Sequence, residues 1–200
     1  MSGADVLGGR LALADRNALD DPARELFDDI TATAVRWAQR SGFTASTTDG
    51  RLIGPFNPCL LNPGLAAAFL KLQAAEQLCT SLDERTRQVV ILTVGAVWDA
   101  PYELYAHSAV AYHAGLSEPV IAELVAGREP QALPEGQRTA HRLARTLSTA
   151  HQVDAALYDQ AVQQFGSTGV FDITALTGIY HTVCGILNAF AIPAPGQHPH

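Results

Sequence analysis

Leu82-Asp83-Glu84-Arg85-Thr86-Arg87-Gln88-Val89-Val90-Ile91-Leu92-Thr93-Val94 is the stretch on which the fold turns. Its second half, Val89 to Val94, is apolar and mostly β-branched, and such a run suits a buried strand as well as a buried helix. The residues ahead of it favour the helix. Asp83 carries the short acceptor side chain of an N-cap, and Glu84 places an acid in the first turn. The segments on both sides are helical in pattern too, so Val89–Trp98 reads as a helix buried within a bundle.

Working outward, Asp20-Asp21-Pro22 opens an earlier helix that runs to Gln39 or Arg40 and stops at Ser41-Gly42. Residues 44–64 are loop-like, with Asp49-Gly50, Pro55, Pro58 and Pro63. Helix resumes near Gly64 and reaches about Cys79. After Trp98, Pro101 starts a helix that Gly115 ends, and Ser117-Glu118-Pro119 starts a short one that stops at Gly127. Further helices are expected from about Pro134 to Thr149, Asp154 to Phe165 and Thr168 to Phe190. The whole is an all-α domain of seven or eight helices. Residues 1–20 read as a loosely attached arm, and the Pro-rich end as frayed.

The chain has 200 residues, 48% of them hydrophobic, enough for one sizeable core. Thirteen basic and 20 acidic residues give a net charge of −7, and no basic cluster stands out, which argues against nucleic acid. No apolar stretch follows a basic start, so no secretory leader is expected and the location reads as cytoplasmic. Ile173 to Ile192 carries no charged residue and is long enough to span a bilayer. It also carries Thr174, Thr177, His181, Thr182 and Asn188, so a buried bundle helix is the better reading and no membrane partner is expected. Cys59, Cys79 and Cys184 form no CxxC and no zinc spacing, and read as free, buried thiols.

The sharpest chemical feature is Tyr102-Glu103-Leu104-Tyr105-Ala106-His107. Glu103 and His107 are four apart, so a helix sets them on one face, which continues as Val110 and Ala114. On such an apolar stripe the carboxyl group orients the ring, and the imidazole exchanges a proton near neutral pH. The bland alternative is an ordinary helix ion pair. Thr174, Thr177, His181 and Asn188 form a second polar stripe, which reads first as close helix packing. His113, His141, His151, His198 and His200 lack convergent partners and read as surface or capping residues. A metal site from Glu103, His107 and His181 has no HxH or HExxH spacing behind it, so none is expected. No nucleotide-binding glycine motif and no GxSxG elbow is present.

The run Leu82 to Leu92, then Tyr102-Glu103 and His107, then Ala114-Gly115-Leu116-Ser117, resembles the carboxymuconolactone decarboxylase/alkylhydroperoxidase D-like superfamily. Phe165-Gly166, Tyr180, Leu187-Asn188 and the Leu60-Leu61-Asn62-Pro63-Gly64 turn are similar to it as well. The resemblance covers roughly residues 50–195, with 1–49 as an N-terminal arm plus helix and 196–200 as a tail. It implies an all-helical fold that assembles by helix packing into a homo-oligomer, a trimer or hexamer.

The resemblance also sorts the chemistry. The thiol peroxidase branch carries Glu, CxxC and His at positions that fall here on Gln88, Ala100, Glu103 and His107. Both thiols are gone, so no thiolate stands there to attack peroxide and none to resolve it. The Cys-free, decarboxylase-like branch keeps Glu and His at the spacing of Glu103 and His107. It implies a cofactor-independent lyase or isomerase of aromatic-compound catabolism. The substrate would be a small carboxylated lactone or unsaturated keto acid that supplies its own electron sink. Glu103 and His107 would be the acid–base pair, with Tyr102, Tyr105, Tyr180, His181 and Arg51 as substrate-binding groups. A rival reading makes the chain a binding or assembly protein with the pair as a relic, and that reading expects no cavity beside it.

Overall fold

The computed structural model describes residues 6–196, and among them every regular element is a helix. After short 3₁₀ turns at Val6–Gly8 and Arg16–Ala18 come α1 (Asp21–Ile30), a π-helical segment (Thr31–Val35) and α2 (Arg36–Arg40). Then follow α3 (Phe56–Cys59), α4 (Pro63–Cys79), α5 (Glu84–Val97), α6 (Pro101–His113), α7 (Glu118–Val125), α8 (Glu135–Thr149) and α9 (Ala155–Ala189). An isolated bridge between Ser46 and Leu52 is the nearest approach to sheet.

The deciding stretch is α5. Asp83 accepts a hydrogen bond from the Thr86 amide at 2.7 Å, which starts the helix and overrides the β preference of the residues behind it. Val89, Val90, Ile91, Leu92 and Val94 are each 0% exposed, because α6, α7, α8 and α9 all pack around this helix. A helix enclosed on every side needs no amphipathic stripe, and this is why its sequence lacks one.

The expected helix over residues 20–40 is present, with a widened turn inside it. In that turn Thr31 Oγ1 donates to the Phe27 carbonyl at 2.8 Å and Thr33 Oγ1 to the Asp29 carbonyl at 2.7 Å. These hydroxyls compete for helix carbonyls, and the π-helical turn Thr31–Val35 occurs where they do so. The two helices expected on either side of residues 165–168 are present, meeting at a break at Gly166 (φ 65°, ψ 175°), and both lie within α9. That backbone conformation suits glycine alone.

The arm proves docked over its described part. Leu13 is buried, the Ala14 amide donates to Asn57 Oδ1 at 3.0 Å, and Asn57 Nδ2 donates to the Ala12 carbonyl at 3.2 Å. The Arg10 amide donates to the Phe190 carbonyl at 2.7 Å. Leu26, Phe27 and Ile30 of α1 share one apolar core with Ile173, Leu176 and Leu187 of α9. Residues 1–5 and 197–200, with His198, His200 and most of the tail, lie outside the described residues.

Helix α9 is long and apolar enough to cross a membrane, but Ile173, Leu176, Thr177, Tyr180, Val183 and Leu187 form its buried face inside the bundle. Its polar stripe is satisfied by nearby backbone. Thr174 and Thr177 donate to their own helix carbonyls at Val170 and Ile173, and Asn188 donates to the Trp98 carbonyl. Two readings need correction. His141 is 2% exposed and not on the surface, its Nδ1 lying 2.7 Å from Thr93 Oγ1. Of the three thiols Cys184 alone is buried, while Cys59 is half-buried and Cys79 exposed.

Candidate active site

Helix α6 begins at Pro101, which fixes φ and needs no donor at a helix start. Its first turn then carries Glu103 inward, and one turn later His107 follows on the same face, as their spacing requires. Glu103 is 2% and His107 7% exposed. Glu103 Oε1 lies 3.2 Å from His107 Nε2. The approach is close but not aligned as a hydrogen bond, so Oε1 is a buried oxygen with no hydrogen-bond partner among the described residues.

The far side of the imidazole is held by α5. His107 Nδ1 lies 2.8 Å from Gln88 Oε1, and Gln88 Nε2 donates to Glu84 Oε1 at 2.7 Å. The Glu84 carboxylate, itself bonded by Arg87 at 2.8 Å, only accepts, so the Gln88 amide must turn its nitrogen toward Glu84 and its oxygen toward the ring. The ring therefore carries its proton on Nδ1, and Nε2 presents a lone pair. Tyr180 of α9 approaches that lone pair at 3.3 Å through its hydroxyl, with its ring edge-on to the imidazole.

Burial sets the charge state. Desolvation pushes the Glu103 carboxyl up to about 8, against the pull of a helix N-terminus that would normally favour the anion. Desolvation, with the Arg87 guanidinium second, pushes His107 down, so it stays neutral at pH 7. Desolvation holds Tyr180 well above the ordinary tyrosine value, so it remains a donor. The resting site is thus a neutral carboxylic acid facing a neutral imidazole.

Both groups line a cavity of about 500 Å³. Helices α1, α4, α5, α6 and α9, the π-helical turn and the loop before α4 all contribute to its wall. Its apolar lining includes Trp37, Phe43, Phe56, Phe69 and Ile179, with Tyr102 and Tyr180. Arg87 lines it as well, 6% exposed, with Nε and Nη2 on Glu76 at 3.2 and 2.6 Å and Nη1 on Glu84. Tyr102 reaches the cavity because Gly54 lets the loop pass against its ring. A Cβ on Gly54 would sit 2.3 Å from two ring atoms, and the residue's φ is +66°.

The cavity brings together Glu103, His107, Tyr102 and Tyr180 and leaves out the other expected binding residues. Tyr105 turns to the loop, where its hydroxyl accepts from the Thr44 amide at 3.0 Å. His181 follows Tyr180 by one residue, so it is rotated by about 100° around the helix. It lies 2.8 Å from Ser148 Oγ and beside the Trp98 ring. Arg51 pairs with Asp49 across a turn at 2.9 Å. Sequence reasoning missed Gln88 as a partner of the histidine, and Glu76 as a cavity group. The Glu84/Gln88 spacing of four was a local signal for half of that relay; the aromatic wall had none. Among the described residues no group of three or more His, Cys, Asp or Glu side chains is placed to hold a metal ion.

A helical bundle with an acid–imidazole pair on its central helix hairpin is the class this geometry defines. Residues 63–146 match the model of the carboxymuconolactone decarboxylase family. The fold is similar to an alkylhydroperoxidase D core, a peroxidase-related protein from Ralstonia eutropha JMP134. The TM-score is 0.73 at 17% identity, over 94% of this chain and 92% of that one. It is also similar to a peroxidase-related protein from Silicibacter sp. TM1040, with TM-score 0.69 at 18% identity over 94% and 96% of the two chains. The debrominase Bmp8, solved with 2,3,4-tribromopyrrole, aligns with TM-score 0.67 at 17% identity over 84% and 88%. No curated protein matches. Residues 63–146 therefore carry the pattern of the carboxymuconolactone decarboxylase family, and the fold of the whole chain is of the alkylhydroperoxidase D-like type.

Proposed function

We propose that this protein is a cofactor-independent lyase or isomerase in which His107 and Glu103 move protons on a small carbonyl compound. The observation that carries the reading is the unpartnered, buried Glu103 Oε1 set 3.2 Å from a His107 Nε2 whose lone pair is fixed from behind by Gln88. An acid and a base held neutral side by side in a largely apolar cavity form the usual equipment for general acid–base catalysis. A compound of the lactone or unsaturated keto acid class stores the electron pair released at carbon in its own carbonyl. The relic reading expected no cavity here, whereas both side chains line one.

The peroxidase alternative rests on the names of fold neighbours and finds little support in the thiols. Cys59 alone of the three lines the cavity, and burial pushes it up to about 11, away from the reactive thiolate. Self-association is proposed through α4, which leaves Leu65, Leu72 and Leu78 at 69%, 53% and 84% exposure. Loss of the assembly in Leu65→Glu/Leu72→Glu, measured by light scattering, tests that part.

The central test uses Glu103→Gln and His107→Ala with a panel of unsaturated lactones and keto acids, following exchange of carbon-bound protons in D₂O by NMR. Each variant is expected to lose roughly 10²- to 10⁴-fold in rate. Undiminished exchange in both would sink the reading.

A further inference from the structure

We infer that the substrate reacts as an uncharged, planar ring carrying an enolisable carbonyl, and that the reaction is a proton shift within that ring and not loss of CO₂. This rests on the proton-transfer reading above and narrows it.

The first ground is the charge inventory of the cavity. Its cations are Lys71 and Arg87, and its carboxyl groups are Asp29, Glu76, Glu84 and Glu103. Lys71 and Asp29 are exposed to solvent. The buried cation, Arg87, is already committed. Its Nε and Nη2 face both oxygens of Glu76, Nη1 faces Glu84, and the Arg87 and Glu76 side chains are each 7% exposed. A substrate carboxylate moved to this depth would leave its water for a guanidinium whose charge two carboxylates already offset. It would also meet two carboxylates that hold the guanidinium first. A cationic substrate would likewise leave its water, and the carboxylates nearest to it already face Arg87.

The second ground is shape and surface. Trp37, Phe43, Phe56, Phe69, Tyr102 and Tyr180 supply aromatic wall on several sides of the cavity. Flat apolar faces are what a ring stacks against, at centroid separations of about 4.5–7 Å.

The third ground is the spacing of the reactive atoms. Glu103 Oε1 and His107 Nε2 are 3.2 Å apart. In a ketone or lactone the carbonyl oxygen and the adjacent carbon are about 2.4 Å apart, from standard bond lengths of 1.2 and 1.5 Å. One enolisable unit therefore fits across the pair, its oxygen at Oε1–H and its C–H at Nε2. His107 Nε2 takes the proton from carbon, and the C–H electron pair becomes the C=C bond of an enol. The carbonyl oxygen receives the Glu103 proton as this happens. The imidazolium then returns its proton to the conjugated carbon two bonds further along, and the enol O–H goes back to Glu103. One C–H bond breaks, one forms, and no oxidant, reductant or cofactor enters.

The test is a matched set of probes on the full chain. Calorimetry compares phenol, a neutral enol analogue, with benzoate and benzylammonium. Turnover uses cyclohex-3-enone, whose conversion to the conjugated enone is read by ultraviolet absorbance. Phenol is expected to bind at least about tenfold tighter than either charged ring, a difference of about 1.4 kcal/mol. The Glu76→Gln variant, with Arg87 partly released, is expected to narrow the phenol-to-benzoate ratio at least about threefold. Benzoate or benzylammonium binding as tightly as phenol overturns the inference, as does failure of phenol to bind at millimolar concentration. The two claims separate cleanly. If benzoate wins while His107→Ala still abolishes proton exchange, the substrate class falls and the catalytic pair stands. If phenol wins but both His107→Ala and Glu103→Gln turn over cyclohex-3-enone at the wild-type rate, the pair falls.

Discussion

Gln88 Oε1 lies 2.8 Å from His107 Nδ1, and the Gln88 amide can face that way only because Glu84 accepts from its nitrogen. One carboxylate at the start of α5 thereby decides which nitrogen of an imidazole on α6 carries the proton. The wild-type ring is expected to show an unprotonated Nε2 in ¹⁵N NMR. Gln88→Leu removes the restraint and leaves Nδ1–H without an acceptor. A fall of about 10- to 100-fold in turnover, with both tautomers populated, is expected from losing one orienting partner. A wild-type spectrum with the proton on Nε2 would refute the lock.

The Glu103 carboxyl gives a pH dependence whose sign is fixed. Its folded value is raised to about 8 from an ordinary 4.5, so the folded state holds a proton that the unfolded state has lost between those limits. Stability contributed by this group therefore falls as pH rises from about 4.5 to 8, at up to about 1.4 kcal/mol per pH unit. Denaturant titrations at several pH values should show a slope in that window that Glu103→Gln abolishes. Activity should fade on the alkaline side as the acid ionises. An identical pH profile in wild type and Glu103→Gln would show that the group titrates elsewhere.

Arg87 tests the cost of a broken buried pair. Arg87→Met leaves Glu76 buried with no countercharge, and its side chain is 7% exposed. A loss of about 3–5 kcal/mol is expected by chemical denaturation. Arg87→Met combined with Glu76→Leu should recover most of it, because two apolar groups leave no orphan charge. A single variant within 1 kcal/mol of wild type, on the order of surface pairs, would contradict the assignment.

Gly54→Ala should strike the site from the loop. The new Cβ meets the Tyr102 ring at 2.3 Å in a backbone region that L-residues avoid. A destabilisation of roughly 2 kcal/mol or more should accompany displacement of Tyr102 from the cavity, seen as weaker probe binding. Tyr102→Phe, which loses the 2.7 Å bond to the Thr44 carbonyl but keeps the ring, should cost about 1 kcal/mol.

The helices were legible because their starts are written locally. Asp20, Asn62, Asp83 and Asp154 each cap the helix that follows with a side-chain oxygen. The all-α assignment survived the β-branched run in α5 for that reason. Glu103 and His107 were legible as a pair because four residues make one turn. The rest of the site depends on contacts between distant segments. Nothing local to Gln88 names His107 as its partner, and nothing near Trp37 or Phe56 says that they face a cavity. Tyr102 and Tyr105 are three apart and equally plausible by spacing, yet both hydroxyls bind Thr44 and only one ring lines the cavity.

The docked arm has a consequence for how the molecule comes into being. Arg10 holds the carbonyls of Ala189 and Phe190, a contact between residues 179 positions apart for Ala189. Trp37 and Tyr180, which flank the same imidazole, also come from opposite ends of the chain. The α5–α6 hairpin with its Glu84–Gln88–His107 relay forms from neighbours and closes little loop entropy. The chamber around it waits for the last helix to be made and for the first to return to it. Pair and chamber therefore draw on different parts of the chain: the acid and the base sit one turn apart on a single helix, while the chamber needs Asp29 and Trp37 from the first segments and Ile179 and Tyr180 from the last helix.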